Sequence, residues 1–348
     1  MPPTSRRYGK RRPHPLLAAA AAAILLLLLA SARRRSWALD RAPPTSRREL
    51  TRTAAARRTP SLLAYVGVFT AAAVGGAAPD GSQYDYAARR AAARAGWFPA
   101  DRAARDAAER DLKVRVRFVV GEAANAAATA ALAAEEEAAG GALFLRVAGV
   151  ADRYDELPRK TAAFLAAALA DAPHALYILK VDDDVFVRLD RVPAAVAQWR
   201  GLARGAGADA VGCAKNGPVF ADPALRWHEP AAPLLGPTYF THFWGPAYAL
   251  SASAAATVVE FEAALHPRRL ANEDTTLGLW LLALGASHYD DRRLCSPACD
   301  ESAVAVYDYP ECAGLCDPAR QLRDLATTCV GGGTEPPLVP ELIAMDGL

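Results

Sequence analysis

Leu176-Tyr177-Ile178-Leu179-Lys180-Val181-Asp182-Asp183-Asp184-Val185-Phe186-Val187 runs apolar for the length of a strand, delivers three consecutive carboxylates and turns apolar again. The apolar part is shorter than the ten or more residues a helix requires, so it is read as a buried strand. Side chains alternate along an extended chain, which places Asp182 and Asp184 on one face and Asp183 on the other. Buried carboxylates must be paired or bind a cation. Hard oxygen ligands suit Mg²⁺ or Mn²⁺, ions that keep positions open for substrate phosphates. Asp182 and Asp184 are therefore the expected metal pair of a site for a diphosphate substrate. The competing reading is a solvated acidic turn, and the immediate return to Val185-Phe186-Val187 argues against it.

Upstream, three further stretches have strand character: Leu62 to Phe69, Val114 to Val120 ending at Gly121, and Leu143 to Val147. Helical segments separate them, from Tyr84 to Ala95, from Gly121 to about Ala139, and after Pro158, which suits a first helical turn. Strands alternating with helices predict an α/β fold, a largely parallel sheet covered on both sides. In such sheets ligands bind beyond the carboxyl ends of the strands, where Asp182 to Asp184 lie. Arg89, Arg90 and Arg94 either meet phosphates or solvate a helix face. Lys160, taken alone, reads as solvated.

Downstream, Val192 to Trp199 is expected to be helical and Cys213 to Pro218 a turn. Arg226 to Pro246 is expected to be an acceptor-side loop, whose aromatics either stack on sugar rings or anchor the loop. Tyr248 to Ser251 reads as a short strand, with Ser253 capping a helix to about Leu265. Asn272-Glu273-Asp274 opens an apolar helix. Acidic residues there stabilise the helix N-terminus, and Asp274 or Glu273 is also the best-placed candidate for a general base.

The 348 residues carry a net charge of only +2, so the total gives no nucleic-acid footprint. The charge is uneven, with no Asp or Glu before Asp40. Leu16 to Ala32 is uncharged and would span about 26 Å as a helix at ~1.5 Å per residue, near the ~27 Å core of a thin bilayer. It is expected to anchor the chain in a membrane, with a cleaved signal or a transit peptide as alternatives. The expected layout is a tail over 1–15, an anchor over 16–32, a Pro- and Arg-rich stem over 33–60, a catalytic domain over 61–330 and a C-terminal tail over 331–348. Six cysteines, Cys213, Cys295, Cys299, Cys312, Cys316 and Cys329, read as disulfides behind a secretory signal, with a zinc site on the two Cys-x3-Cys pairs as the rival.

Several motifs, in order, resemble the β-1,3-galactosyltransferase family, glycosyltransferase family 31. Arg90-Ala-Ala-Ala-Arg94-Ala-Gly96-Trp97 is similar to Arg-x-x-x-Arg-x-Thr-Trp, with Gly96 in place of Thr, a change expected to loosen the packing before Trp97. Phe118 to Gly121 resembles the family's Phe-Val-x-Gly, and Asp152-x-Tyr154-x-x-Leu157-x-x-Lys160-Thr161 its Asp-x-Tyr-x-x-Leu-x-x-Lys-Thr. Lys180 to Asp184 resembles Lys-x-Asp-Asp-Asp, and Glu273-Asp274-x-x-x-Gly278 its Glu-Asp-x-x-x-Gly. Tyr239 to Ser251 and the cysteine-rich Leu294 to Pro318 resemble a plant-type branch.

The resemblance implies a GT-A, Rossmann-like fold and inverting transfer of galactose from UDP-galactose to a glycan or glycoprotein hydroxyl. It further implies a type II Golgi membrane protein with a lumenal catalytic domain. It assigns Asp182 and Asp184 to Mn²⁺, with Asp308 standing where some members place a His ligand. Arg90, Arg94, Lys160, Asp182 and Asp183 are implied on the donor side, Asp183 facing the ribose or the backbone, and Asp274 or Glu273 as the base. An N-acetylglucosaminyl- or glucuronosyl-transferase would show the same carboxylates, and a catalytically silent glycan-binding protein is a further alternative.

Overall fold

Apolar runs bounded by turn-forming residues become the strands of one central sheet. The computed structural model describes residues 62–72, 74–77, 83–202, 207–329 and 341–342, all in a unit running from Pro60 to Leu348. The expected anchor and stem lie outside the described residues, among which no helix is long and apolar enough to cross a membrane.

In chain order the strands are β1 (Leu62–Phe69), β2 (Val74–Ala77), β3 (Gln83–Asp85), β4 (Val114–Glu122), β5 (Phe144–Ala151), β6 (Ala175–Asp182), β7 (Phe186–Val187), β8 (Ala210–Lys215), β9 (His242–Ser251), β10 (His288–Asp290), β11 (Ala305–Val306) and β12 (Glu341–Leu342). The helices are α1 (Tyr86–Gly96), α2 (Arg102–Ala107), α3 (Ala126–Ala138), α4 (Leu157–Asp171), α5 (Val192–Gly201), α6 (Ala232–Leu235), α7 (Ala252–Leu265), α8 (Glu273–Ala283) and α9 (Pro318–Thr328). The main sheet has the order β12-β10-β8-β9-β6-β1-β4-β5. Strands β5, β4, β1 and β6 are parallel, as the alternation of strands and helices predicted. β9 runs antiparallel between β6 and β8, so its first residues reach past the carboxyl end of β6.

The near-continuous apolar character of the central strands follows from burial on both faces. On one face Val66, Val68, Leu179 and Val181 pack with Ala92, Ala93, Trp199 and Leu322 from α1, α5 and α9. On the other, Tyr65, Phe69 and Ile178 pack with Phe164, Val258 and Trp280 from α4, α7 and α8. The two-residue period of the strands sorts these side chains between the two cores.

Several local expectations change. Cys213 to Lys215 belongs to strand β8 and is no turn, because Gly212 and Ala214 pair with β9. The strand expected from Tyr248 begins at His242 and takes in Trp244-Gly245-Pro246. Ser251, not Ser253, caps α7, its hydroxyl accepting from Ala254 N at 3.1 Å. Gly96 tightens packing instead of loosening it: a β-carbon there would lie 2.6 Å from the Leu322 carbonyl oxygen, so glycine lets α1 and α9 approach.

All six cysteines are paired, Cys213 with Cys295, Cys299 with Cys329 and Cys312 with Cys316, which removes the zinc reading. Glu341–Leu342 returns to the sheet as a partner of β10.

Candidate active site

Four strand ends build the site: β1 ending at Phe69, β6 ending at Asp182, and the start of β9 beside the end of β8. Asp182 is the last extended residue of β6, and Asp183 and Asp184 form a turn before β7. The expected opposition of Asp183 to Asp184 therefore fails, since alternation holds only while the backbone stays extended. One guanidinium nitrogen, Nη1 of Arg89, donates to Asp183 Oδ1 at 2.9 Å and to Asp184 Oδ2 at 3.0 Å. The second oxygens, Asp183 Oδ2 and Asp184 Oδ1, are buried without a partner. Burial above all, with mutual repulsion added, pushes the Asp182 carboxyl up to about 6 and that of Asp184 up to about 7. Lys180 and Arg89 offset this only in part, and a further cation would favour the ionised carboxylates.

Behind Asp184 the cysteine-rich segment closes in. Leu315 N donates to the Asp184 carbonyl at 2.7 Å, and a β-carbon on Gly314, whose φ is +150°, would strike Asp184 Cγ at 2.4 Å. The Asp308 carboxylate holds this loop, accepting from Cys316 N at 2.7 Å and from Gln321 Nε2 at 3.0 and 3.1 Å.

Lys180 joins the two acidic segments. Its buried ammonium lies 2.7 Å from Asp182 Oδ1 and 3.6 Å from Glu273 Oε2, and donates to the Gly245 carbonyl at 2.7 Å. Glu273 is buried and also accepts from Thr161 Oγ1 at 3.0 Å and from the Tyr248 hydroxyl. Asp274 faces the opposite way, toward Lys215 Nζ at 2.8 Å and His242 Nε2 at 3.9 Å, while its Oδ1 accepts from Thr275 N. Burial acts most strongly and raises the Asp274 carboxyl, but Lys215, His242 and the Thr275 amide together outweigh it and hold the group below its ordinary value. Lys215 in turn sits 4.1 Å from the Trp244 ring centroid, and Trp244 packs edge-on against Tyr309.

Arg90 and Arg94 both grip Glu135 on α3, and Arg90 also donates to the Ala71 and Ala72 carbonyls, bracing the loop after β1. Lys160 is buried, not solvated: its ammonium lies 2.5 Å from both Asp152 Oδ1 and the Thr70 carbonyl, where burial lowers its pKa. Of the three neighbouring arginines, the one that reaches the aspartates is Arg89, which sequence reasoning did not select. Helical residues step by about 100°, so adjacent arginines face different ways and only packing shows which turns inward. The role of Lys180 had a signal, a lone charge inside an apolar strand.

Among the described residues no three carboxylate, imidazole or thiol groups converge as a closed metal cage. The buried, unpartnered Asp184 Oδ1 and the partly exposed Asp182 carboxylate, close enough to repel it, fit an ion that takes one or two carboxylates and completes its shell with phosphate and water.

The sequence profile of the galactosyltransferase family matches residues 88–292. The chain is 37% identical over 239 residues to probable β-1,3-galactosyltransferase 13 of Arabidopsis thaliana, covering 69% of this chain and 67% of that protein. It is 36% identical over 278 residues to probable β-1,3-galactosyltransferase 12 of the same plant, covering 79% and 69%. β-1,3-galactosyltransferase 7 is 31% identical over 262 residues, covering 70% and 64%.

Proposed function

This chain belongs to the galactosyltransferase family, the β-1,3-galactosyltransferases of glycosyltransferase family 31, and from that membership we propose that it moves galactose from UDP-galactose to a hydroxyl of a glycan or glycoprotein, with inversion to a β-1,3 linkage. The observation that carries the proposal is Lys180, whose contacts with Asp182, Gly245 and Glu273 join the cluster of three aspartates to the start of α8 at one edge of the sheet. Inverting transfer needs two different groups at one cleft, charge stabilisation for the departing diphosphate and a base for the acceptor hydroxyl.

Asp182 and Asp184 would hold Mn²⁺, with Arg89 beside them. Bound there, the ion supplies Lewis-acid stabilisation of the leaving diphosphate. Asp274, ionised and at the cleft, takes the proton from the acceptor hydroxyl as its oxygen attacks the anomeric carbon and the bond to UDP breaks. Glu273, enclosed by Thr161, Tyr248 and Lys180, positions the turn that presents Asp274. Asp308 supports the Gly314 loop against Asp184, a structural task in place of metal ligation. Arg90 and Lys160 act on the donor through the loop after β1, which they brace at 70–72, and Arg94 supports Arg90 through their shared Glu135. The apolar run at 16–32 and the three disulfides support a Golgi membrane protein with its catalytic domain in the oxidising lumen.

Release of UDP from a panel of UDP-sugars, with and without β-galactoside and other glycan acceptors, tests the reading. UDP-galactose is expected to be the preferred donor and release to rise with acceptor. Preference for UDP-N-acetylglucosamine or UDP-glucuronate overturns the donor, and no turnover with any donor favours a silent glycan-binding protein.

A further inference from the structure

Three carboxylates, Asp182, Asp183 and Asp184, already face two built-in cations. Lys180 holds Asp182 and is locked in place, buried and donating to the Gly245 carbonyl. Arg89 holds Asp183 and Asp184 from a side chain 15% exposed, at the rim of the cleft. Its other neighbours are the Tyr84 and Tyr86 rings, with the guanidinium carbon 4.6 and 5.9 Å from their centroids.

A divalent ion entering beside Asp184 would meet the guanidinium that already neutralises that carboxylate, and the two cations would repel each other in a poorly solvated cleft. A diphosphate changes the balance. It accepts from a planar guanidinium as a carboxylate does, often through two parallel hydrogen bonds, and brings the negative charge that both cations can share. The partly open position of Arg89 and the aromatic face of Tyr84, over which it already lies, let it leave the aspartates without crossing the core, since a cation over a ring keeps a favourable contact.

We propose that Arg89 is the resident counter-cation of the donor site: it neutralises Asp183 and Asp184 in the empty enzyme and transfers to the diphosphate when donor and metal arrive, so that each ligand strengthens binding of the other. The proposal rests on the metal-assisted reading above and adds a role for a residue outside the metal pair. It concerns binding order, so its test does not depend on turnover.

Free Mn²⁺ measured by electron paramagnetic resonance, with and without saturating UDP, gives the metal affinity of each form of the full lumenal domain. In the wild type, UDP is expected to tighten Mn²⁺ binding by about 10-fold or more, within the roughly 5–150-fold span of typical couplings. In Arg89→Gln, Mn²⁺ alone should bind about 10-fold tighter than in the wild type, and the tightening caused by UDP should shrink by a comparable factor, because the coupling is reciprocal. Arg89→Lys keeps the charge and should retain the weak metal-alone binding. Unchanged or weaker Mn²⁺ binding in Arg89→Gln overturns the proposal, as does an equal shift in Arg89→Lys. Should circular dichroism show Arg89→Gln unfolded, Arg89→Met repeats the measurement, and a wild-type metal affinity indifferent to UDP overturns the proposal unaided. A wild type that binds no Mn²⁺ even with UDP overturns the metal reading as well, whereas normal wild-type synergy with an unaltered Arg89→Gln overturns the role of Arg89 alone.

Discussion

Glu273 and Asp274 open α8 about 100° apart on the helix, so one side chain turns under the sheet edge while its neighbour turns into the cleft. Their surroundings then divide the work. Every oxygen of Glu273 has a close donor or cation, and replacing it removes a buried acceptor from Thr161, Tyr248 and Lys180. Glu273→Gln is expected to cost about 1–3 kcal/mol of stability, the usual penalty for leaving buried donors poorly matched, read as a lower urea midpoint. Asp274→Asn keeps the shape of the site and removes the base. UDP binding measured by calorimetry should stay near wild type while transfer falls by roughly 10²–10⁴, the typical worth of a positioned base. Full transfer by Asp274→Asn would end this assignment. The carboxylates themselves were legible from the sequence, but their division was not, because two adjacent acids at a helix start look alike until the packing beneath them is known.

Helix α9 lies against α1, and with the neighbouring disulfides it brings the cysteine-rich segment onto Asp184. The contact depends on Gly96, whose missing β-carbon leaves room for the Leu322 carbonyl. Gly96→Thr, which restores the residue common in the wider family, is expected to destabilise by about 1–3 kcal/mol through overpacking. A thermal melt with the midpoint unchanged or raised would show that α9 can shift to accept the larger side chain. Read in isolation, Gly96 suggested loosened packing, because a sequence does not reveal which distant helix fills the vacated space. The strands were more legible. Their apolar runs report burial on both faces directly, so β1, β4 and β6 appear close to their observed bounds. β9 was read too short because Trp244-Gly245-Pro246 resembles a loop locally, and the ladder pairs that carry the strand past it lie on either side, at 242–243 with β8 and from 247 with β6.

At the scale of the whole molecule, the apolar 16–32 run and the oxidised cysteines predict a lumenal catalytic domain. A C-terminal tag should be protected from added protease in sealed microsomes and lost once detergent is present; digestion in intact vesicles would place the domain on the other side. The sequence alone determined the α/β class, the strand that ends in carboxylates, the family and the candidate acids, because apolar period and motif spacing are local properties of the chain. Only the tertiary structure decided which acids come together. The aspartates of β6 and the start of α8 lie far apart in sequence, and Lys180 meets both because β9 inserts antiparallel beside β6 and carries Gly245 to the same edge. It also decided that Arg89, not Arg90 or Arg94, faces the aspartates, since the direction of a helical side chain depends on what the helix packs against.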